Sequence, residues 1–485
     1  MPIRNGKKYL RDLDRTRREI WVGGRKVTGS VTEHPAFTGI AKSMAALYDM
    51  QSEPELVEEM TYTSPQSGER VGMSFLQPRK KKDLESRRRM IKRWADYSCG
   101  FLGRTPDYLN SDIMAMASAW KFFAKGGKEF GDNIRNYYSY VRENDLLMTH
   151  TLINPQANRS VSLSKQDDPF LAARIVETRR EGIVVRGARM LATFPMADEI
   201  IVFPSTVIRS GTEDRPYAMA FAIPVSTKGL KFICRESFSH NSAYDHPLSS
   251  AFDEQDAVVV FDDVLVPRER IFLLEDPDRA NMLHEATDAV VHMSHQVTIR
   301  DVAKTEFFLG LMSLIADTIG IDQFQHVQEK IAKTIMVLET MRSLLVAGEA
   351  EAAVNRWGIM TPEFRYLNVA RNIYPRIYPV LKEVIQQLGA SGLMSLPTEE
   401  DMKSDVRNYI DRYYVAKNTS AEERIRLFRL AWDAAGSSFG SRQELYERFF
   451  FGDPVRMASA LFNWYDREPY RRKVRELLSR QGGKT

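Results

Sequence analysis

From Thr149 to Leu274 the sequence breaks into short runs rich in β-branched and aromatic residues, separated by Gly, Pro, Ser and Asp. On both sides of this stretch, apolar residues recur every three or four positions over long segments. The two spacings demand different elements, because a strand alternates its side chains between two faces while a helix lines one face at that wider spacing. The order helices, sheet, helices offers no strand–helix alternation from which a doubly wound sheet could be built. An α+β assembly is expected, with an N-terminal mostly helical domain over 1–147, a middle antiparallel β domain over 148–275 and a C-terminal helical bundle with an oligomerisation tail over 276–485.

Within the first third, Glu19 to Val27 reads as a hairpin closed by Gly23-Gly24. Helices are expected to begin near Pro35, Asp83, Pro106 and Phe130. The one at Pro106 has the clearest start, with Thr105 placed to cap it and a proline in the first turn, where a missing N–H costs little. Strands are expected at Gly182–Arg186, Ile200–Phe203, Tyr217–Ile223, Leu230–Cys234 and Ala257–Phe261, and long helices at Val302–Ile319, Gln323–Trp357 and Glu363–Gly389.

At 485 residues, 43% hydrophobic and 27% charged, the chain can fill more than one packed region and falls outside the disordered, fibrous and membrane classes. Cys99 and Cys234 are too few for a disulfide framework or a four-thiolate metal site. The basic start, Met1 to Lys8, meets Asp12, Asp14 and Glu19 with no apolar run between, so no secretory signal and no membrane span are expected, and a cytoplasmic location is. A net charge of +4 gives no reason to expect a polyanionic partner. The densest basic run, Arg79 to Arg93, carries an apolar helical stripe through Leu84, Met90, Ile91 and Trp94; it is expected to turn its cations to solvent rather than to nucleic acid.

Three further patterns imitate known chemistry. No Gly-x-Gly-x-x-Gly or Walker loop is present, so no Rossmann or P-loop nucleotide site is expected. Gly436-Ser437-Ser438-Phe439-Gly440 has the letters of a nucleophile elbow but lies between helical patterns, where an elbow has no strand to leave. Asp288, His292 and His295 share a helical face, yet no matching ligand from another element is evident, and no metal is expected.

Gly103-Arg104-Thr105-Pro106-Asp107-Tyr108 is more informative. A guanidinium just ahead of a helix start, with a tyrosine in the first turn, suits a bound anion or phenolate. Thr149-His150-Thr151 stands where the helical part gives way to the sheet, followed by the amide-rich turn Asn154 to Arg159, whose groups can satisfy the polar edge of a flavin or a base.

With His34–Phe37, Ala45–Asp49, Arg186–Met190, Ala192–Pro195, Phe261–Val264 and Phe451–Arg456, these segments resemble the flavin-dependent 4-hydroxyphenylacetate hydroxylase family, large component, whose shape is that of the acyl-CoA dehydrogenases. The likeness runs over nearly the whole chain. It implies an FADH2-dependent monooxygenase that uses molecular oxygen, through a C4a-hydroperoxyflavin, to hydroxylate a small phenolic acid ortho to its phenol. By that resemblance Arg104, Tyr108 and His150 are catalytic, and Arg104, Thr105, Pro106, Asp107, Tyr108 and His150 surround the substrate, with Ser205 and Thr206 at its carboxylate. FAD would be held by His150, Thr151 and Leu152, by Gln156, Ala157, Asn158 and Arg159, by Thr193, and by Asp453, Pro454, Val455 and Arg456, the last group from a neighbouring subunit of a homotetramer. Because the chain lacks a dinucleotide fingerprint, a separate NAD(P)H:flavin reductase is expected to supply FADH2. The alternatives are a related phenol or chlorophenol hydroxylase, an acyl-CoA dehydrogenase or dehydratase, and a helical scaffold without catalysis. The iron–sulfur dehydratase of the same family needs three cysteines and a histidine, more than this chain has. The polar run Glu236–Ser249 is expected to form a lid over the phenol.

Overall fold

Asn5 accepts a hydrogen bond from the Lys8 N–H at 2.9 Å and so opens the first helix, Gly6–Arg15, by satisfying a donor that has no partner inside the helix. The structure is a computed structural model and describes residues 3–155, 157–204, 208, 212–239 and 242–482. Helices Thr38–Met50, Lys81–Tyr97, Pro106–Ser118 and Lys128–Asn144 follow. Asp83 lies inside its helix, not at the start, because its carboxylate reaches back to the N–H groups of Arg79 and Lys80 at 2.8 and 3.2 Å.

The next elements are mainly strands, in two sheets. The larger has the order Arg25–Lys26, Glu19–Val22, Leu230–Cys234, Asp256–Pro267, Gly182–Thr193, Arg174–Thr178. The smaller has the order Ile271–Leu274, Met219–Pro224, Glu199–Val202, Met148–Thr151. Two pairs correct the expectation of an antiparallel domain: Glu19–Val22 runs parallel to Leu230–Cys234, and Met148–Thr151 parallel to Glu199–Val202. Both join strands far apart in sequence, where no tight turn imposes the antiparallel direction. The N-terminal hairpin is thus an edge of the main sheet. Asp256–Pro267 is longer than expected, for the acidic pair Asp262-Asp263 that breaks its pattern is absorbed by a bulge between Phe261 and Val264, with Asp263 at φ 52°.

Beyond Leu274 the chain is mostly helical: Pro277–Ala286, Ala289–Ile319, Gln325–Ala350, Phe364–Gly389, Ala421–Ala435, Ser438–Phe449, Pro454–Trp464 and Glu468–Gly482. Ala289–Ile319 starts well before the expected Val302. Its first half is buried on every side, polar residues included, so hydrophobic periodicity is lost there. His295 pairs with Glu349 at 2.8 Å, and Arg300 with Glu447 at 2.7 Å. This helix joins the two main cores, one shared by the N-terminal helices and both sheets, the other among the C-terminal helices. Among the described residues, no helix is long and apolar enough to cross a membrane.

The basic helix also departs from expectation. Arg87 is fully buried and donates to Ser111 Oγ, with the His292 ring 3.3 Å away. Burial pulls its guanidinium down to about 10, and Arg88 pairs with Glu349, so part of this cation run holds helices together.

Candidate functional site

Helix Pro106–Ser118 is buried over most of its length, and its N-terminus faces the edge of the smaller sheet. Pro106 takes the first turn as expected, but the Thr105 hydroxyl makes no capping bond to the helix, which corrects the role read from its position. The Asp107 carboxylate accepts from Gln296 Nε2 at 2.8 Å, and burial raises its pKa.

Arg104, Tyr108 and His150 come together. All three are buried, leaving only 8, 7 and 8% of their surface exposed. The Arg104 guanidinium carbon sits 5.0 Å from the Tyr108 ring centre, 5.4 Å from that of Tyr446 and 5.2 Å from that of Phe450. Such rings attract a cation through their negative faces. Arg104 Nη1 donates to Tyr446 Oη at 2.6 Å and to the Gly103 carbonyl at 3.1 Å, while Nε has no partner. Among the described residues, no carboxylate pairs with this guanidinium; Glu254 instead accepts from the Arg104 backbone N–H at 2.6 Å. Among the described residues, the guanidinium is thus held by hydrogen bonds to neutral oxygens and not by an ion pair.

His150 lies on strand Met148–Thr151, its ring 5.9 Å from that of Tyr108 and 5.8 Å from that of Phe203. Its Nδ1 is buried and, among the described residues, has no partner. Burial, followed by the nearby Arg104 and His284, holds its pKa well below the ordinary value, so the ring is neutral. Burial likewise raises the Tyr108 phenol, although Arg104 opposes it, and keeps that hydroxyl protonated.

The cofactor candidates fall into two groups. Strand residues 150–152 lie beside Thr193: Thr149 Oγ1 donates to the Thr193 carbonyl, Thr151 Oγ1 to that of Met190 at 3.0 Å, and the Leu152 carbonyl accepts from Arg189 at 3.1 Å. The Thr193 hydroxyl is engaged with Asp256 at 2.8 Å. Ala157, Asn158 and Arg159 are exposed in the following turn, where Asn158 accepts from Ser160. Asp453 caps helix Pro454–Trp464 through the Val455 and Arg456 N–H groups at 2.9 and 3.1 Å. Among the described residues, no hydrogen bond joins this second group to His150, Thr151 or Thr193. Ser205, Thr206 and Gln156, together with His240 and Asn241 of the Glu236–Ser249 run, lie outside the described residues. The rest of that run is anchored elsewhere, Phe238 and Ser239 to Asp253, Ser242 to Glu399, and Leu248 and Ser249 to Asp433.

Tyr446, Phe450, Glu254 and His284 were not foreseen as part of this site. They arrive from distant segments and carry no local motif. The decoys found ordinary partners: Ser437 caps helix Ser438–Phe449 by accepting from Gly440 N, and Asp288 accepts from Asn355 at 2.8 Å.

Two family models match the chain, 4-hydroxyphenylacetate 3-hydroxylase N terminal over residues 5–273 and C terminal over residues 280–479. The chain is 48% identical to the 4-hydroxyphenylacetate 3-monooxygenase oxygenase component of Thermus thermophilus, across 98% of this chain and 97% of that protein. It superposes at a TM-score of 0.94 and 48% identity on a crystal structure of such an oxygenase component complexed with FAD and 4-hydroxyphenylacetate, covering 99% of both chains. An archaeal 4-hydroxybutyryl-CoA dehydratase from N. maritimus, 20% identical over 98% of this chain and 95% of that one at a TM-score of 0.88, shares the fold alone. The α+β architecture is that of these oxygenase components, and this chain belongs to the 4-hydroxyphenylacetate 3-hydroxylase family.

Proposed function

We propose that this chain is the FADH2-using oxygenase component of a 4-hydroxyphenylacetate 3-monooxygenase, converting a 4-hydroxyphenyl acid to its 3,4-dihydroxy product. The observation that carries this reading is an Arg104 guanidinium with no ion-pair partner among the described residues, beside Tyr108 and a neutral His150. A phenol becomes nucleophilic at its ortho carbon when its oxygen loses a proton. Arg104, with the N-terminus of helix Pro106–Ser118 behind it, stabilises the phenolate. His150 receives the proton on its unpartnered nitrogen. Tyr108, its own hydroxyl protonated, donates a hydrogen bond to the phenolate oxygen.

The residues also fit a flavin. Ile153 and Leu191 are each 40% exposed, on segments joined through the bridge between Ile153 and Met190, and the amide residues Asn154 and Asn158 follow in the chain. An apolar platform edged by amides suits a flat ring with one polar edge. His150, Thr151, Leu152 and Thr193 would hold it from this face, and Asp453 to Arg456 of a neighbouring copy from the other. Reduced FAD, when bound, supplies the activated oxygen, and the protein positions the phenol and excludes water. The reducing equivalents come from a separate flavin reductase. The exposed apolar side chains of the two last helices, among them Phe462, Trp464, Leu477 and Leu478, suit burial in a homotetramer. Free Cys99 and Cys234 suit a reducing cytoplasm. Chemically reduced FAD, oxygen and 4-hydroxyphenylacetate given to the purified chain should yield 3,4-dihydroxyphenylacetate. Reduced flavin consumed with no catechol formed from any 4-substituted phenol would overturn the reading.

A further inference from the structure

Tyr446 lies 342 residues from Arg104 in sequence and touches it in space. Its hydroxyl oxygen accepts from Arg104 Nη1 at 2.6 Å and from Arg300 Nη1 at 3.2 Å, and it donates to the Gly103 carbonyl at 3.2 Å. A phenol has one hydrogen and two lone pairs, so this hydroxyl is fully used. The anchor behind it is rigid: Arg300 is itself held by Glu447 at 2.7 Å and Asp301 at 3.1 Å in a fully buried cluster. Gly103 leaves the room that Tyr446 needs, since a Cβ there would lie 2.3 Å from the Tyr446 oxygen.

The nature of this contact matters. Neighbouring buried arginines are neutralised by acids, Arg300 by Glu447 and Arg442 by Asp256 at 2.6 Å. Among the described residues, the Arg104 side chain is fixed by neutral oxygens alone, those of Tyr446 and Gly103. A carboxylate in that place would hold the side chain equally well and cancel the charge that a phenolate needs.

We propose that Tyr446 is a positioning residue for hydroxylation: it aims the Arg104 guanidinium at the phenol oxygen with its charge intact, leaving Nε and Nη2 free to donate. The inference rests on the reading that the phenol binds at Arg104. The test uses the FAD-loaded enzyme without reductant and 4-hydroxy-3-nitrophenylacetate, whose phenolate absorbs visible light. The pKa of the bound probe is read by absorbance titration in the wild type, Tyr446→Phe and Arg104→Met, with FAD affinity and melting temperature measured alongside. The wild type should lower the probe's pKa below its free value, and Arg104→Met should abolish that lowering. Tyr446→Phe, which keeps the ring and loses only the hydroxyl, should lose most of it and weaken the probe about tenfold, with FAD affinity unchanged. A wild-type probe pKa in Tyr446→Phe, whether or not its melting temperature falls, would overturn the positioning role while leaving the phenol at Arg104. A wild-type probe pKa in Arg104→Met would remove the phenol from Arg104 and overturn both.

Discussion

Arg104 stands over Tyr108 with its guanidinium carbon 5.0 Å from the ring centre, so the cation proposed to meet the phenol sits at the head of helix Pro106–Ser118. Arg104→Ala should therefore cut hydroxylation by about 2–4 kcal/mol of barrier, typical for loss of one preorganised charge donor. FAD titration of the same variant should give wild-type affinity. Equal losses of flavin binding and turnover would assign Arg104 to the cofactor instead.

His150→Ala should leave the fold intact and uncouple the reaction, with NADH still consumed through an added reductase and the oxygen released as hydrogen peroxide. The quantity to measure is catechol formed per NADH oxidised. Wild-type coupling in this variant would place the proton acceptor elsewhere.

His150 also makes a pH prediction. Its folded pKa lies below its unfolded value, so the folded state binds fewer protons and stability is lost as pH falls through the ordinary imidazole range, about 6.5. His150→Gln should lose less stability than wild type between about pH 7 and about pH 5. Parallel melting curves for the two proteins would contradict the buried, neutral ring.

Asp112 is fully buried and neither carboxylate oxygen has a partner, so burial raises its pKa well above the usual carboxylate value. The folded state then holds the proton more tightly than the unfolded state, and stability declines as pH rises above about 4. Asp112→Asn should be more stable than wild type at neutral pH by about 1–3 kcal/mol, with the gain shrinking toward acid pH. A gain independent of pH would mean that folding leaves the Asp112 pKa where it is in the unfolded chain.

Val455, Phe462, Trp464, Leu477 and Leu478 are all at least half exposed on the last two helices. Truncation before Glu468 should shift the protein toward smaller species in sedimentation and weaken FAD binding with it, since Asp453 to Arg456 would then lose their place against a neighbour. A fully loaded, active monomer would remove the shared flavin site.

Local chemistry wrote much of this molecule into its sequence. The helix at Pro106, the strand Leu230–Cys234 and the alternation of helical, sheet and helical regions follow from periodicity and from turn residues acting over a few positions. The Arg104, Tyr108 and His150 cluster was legible as well, through the resemblance of its two segments. Tertiary structure decided what no window of sequence contains. Glu19–Val22 became a strand parallel to Leu230–Cys234, Arg87 went inside to meet Ser111, and the first half of Ala289–Ile319 was buried with its polar side chains paired. Each of these is a choice of partner across a long stretch of chain, where a buried polar group gains most from whichever partner the fold brings to it. The same holds at the site: the sequence supplies an arginine at a helix start, but only the fold decides that a tyrosine 342 residues away, rather than a carboxylate, accepts from its Nη1.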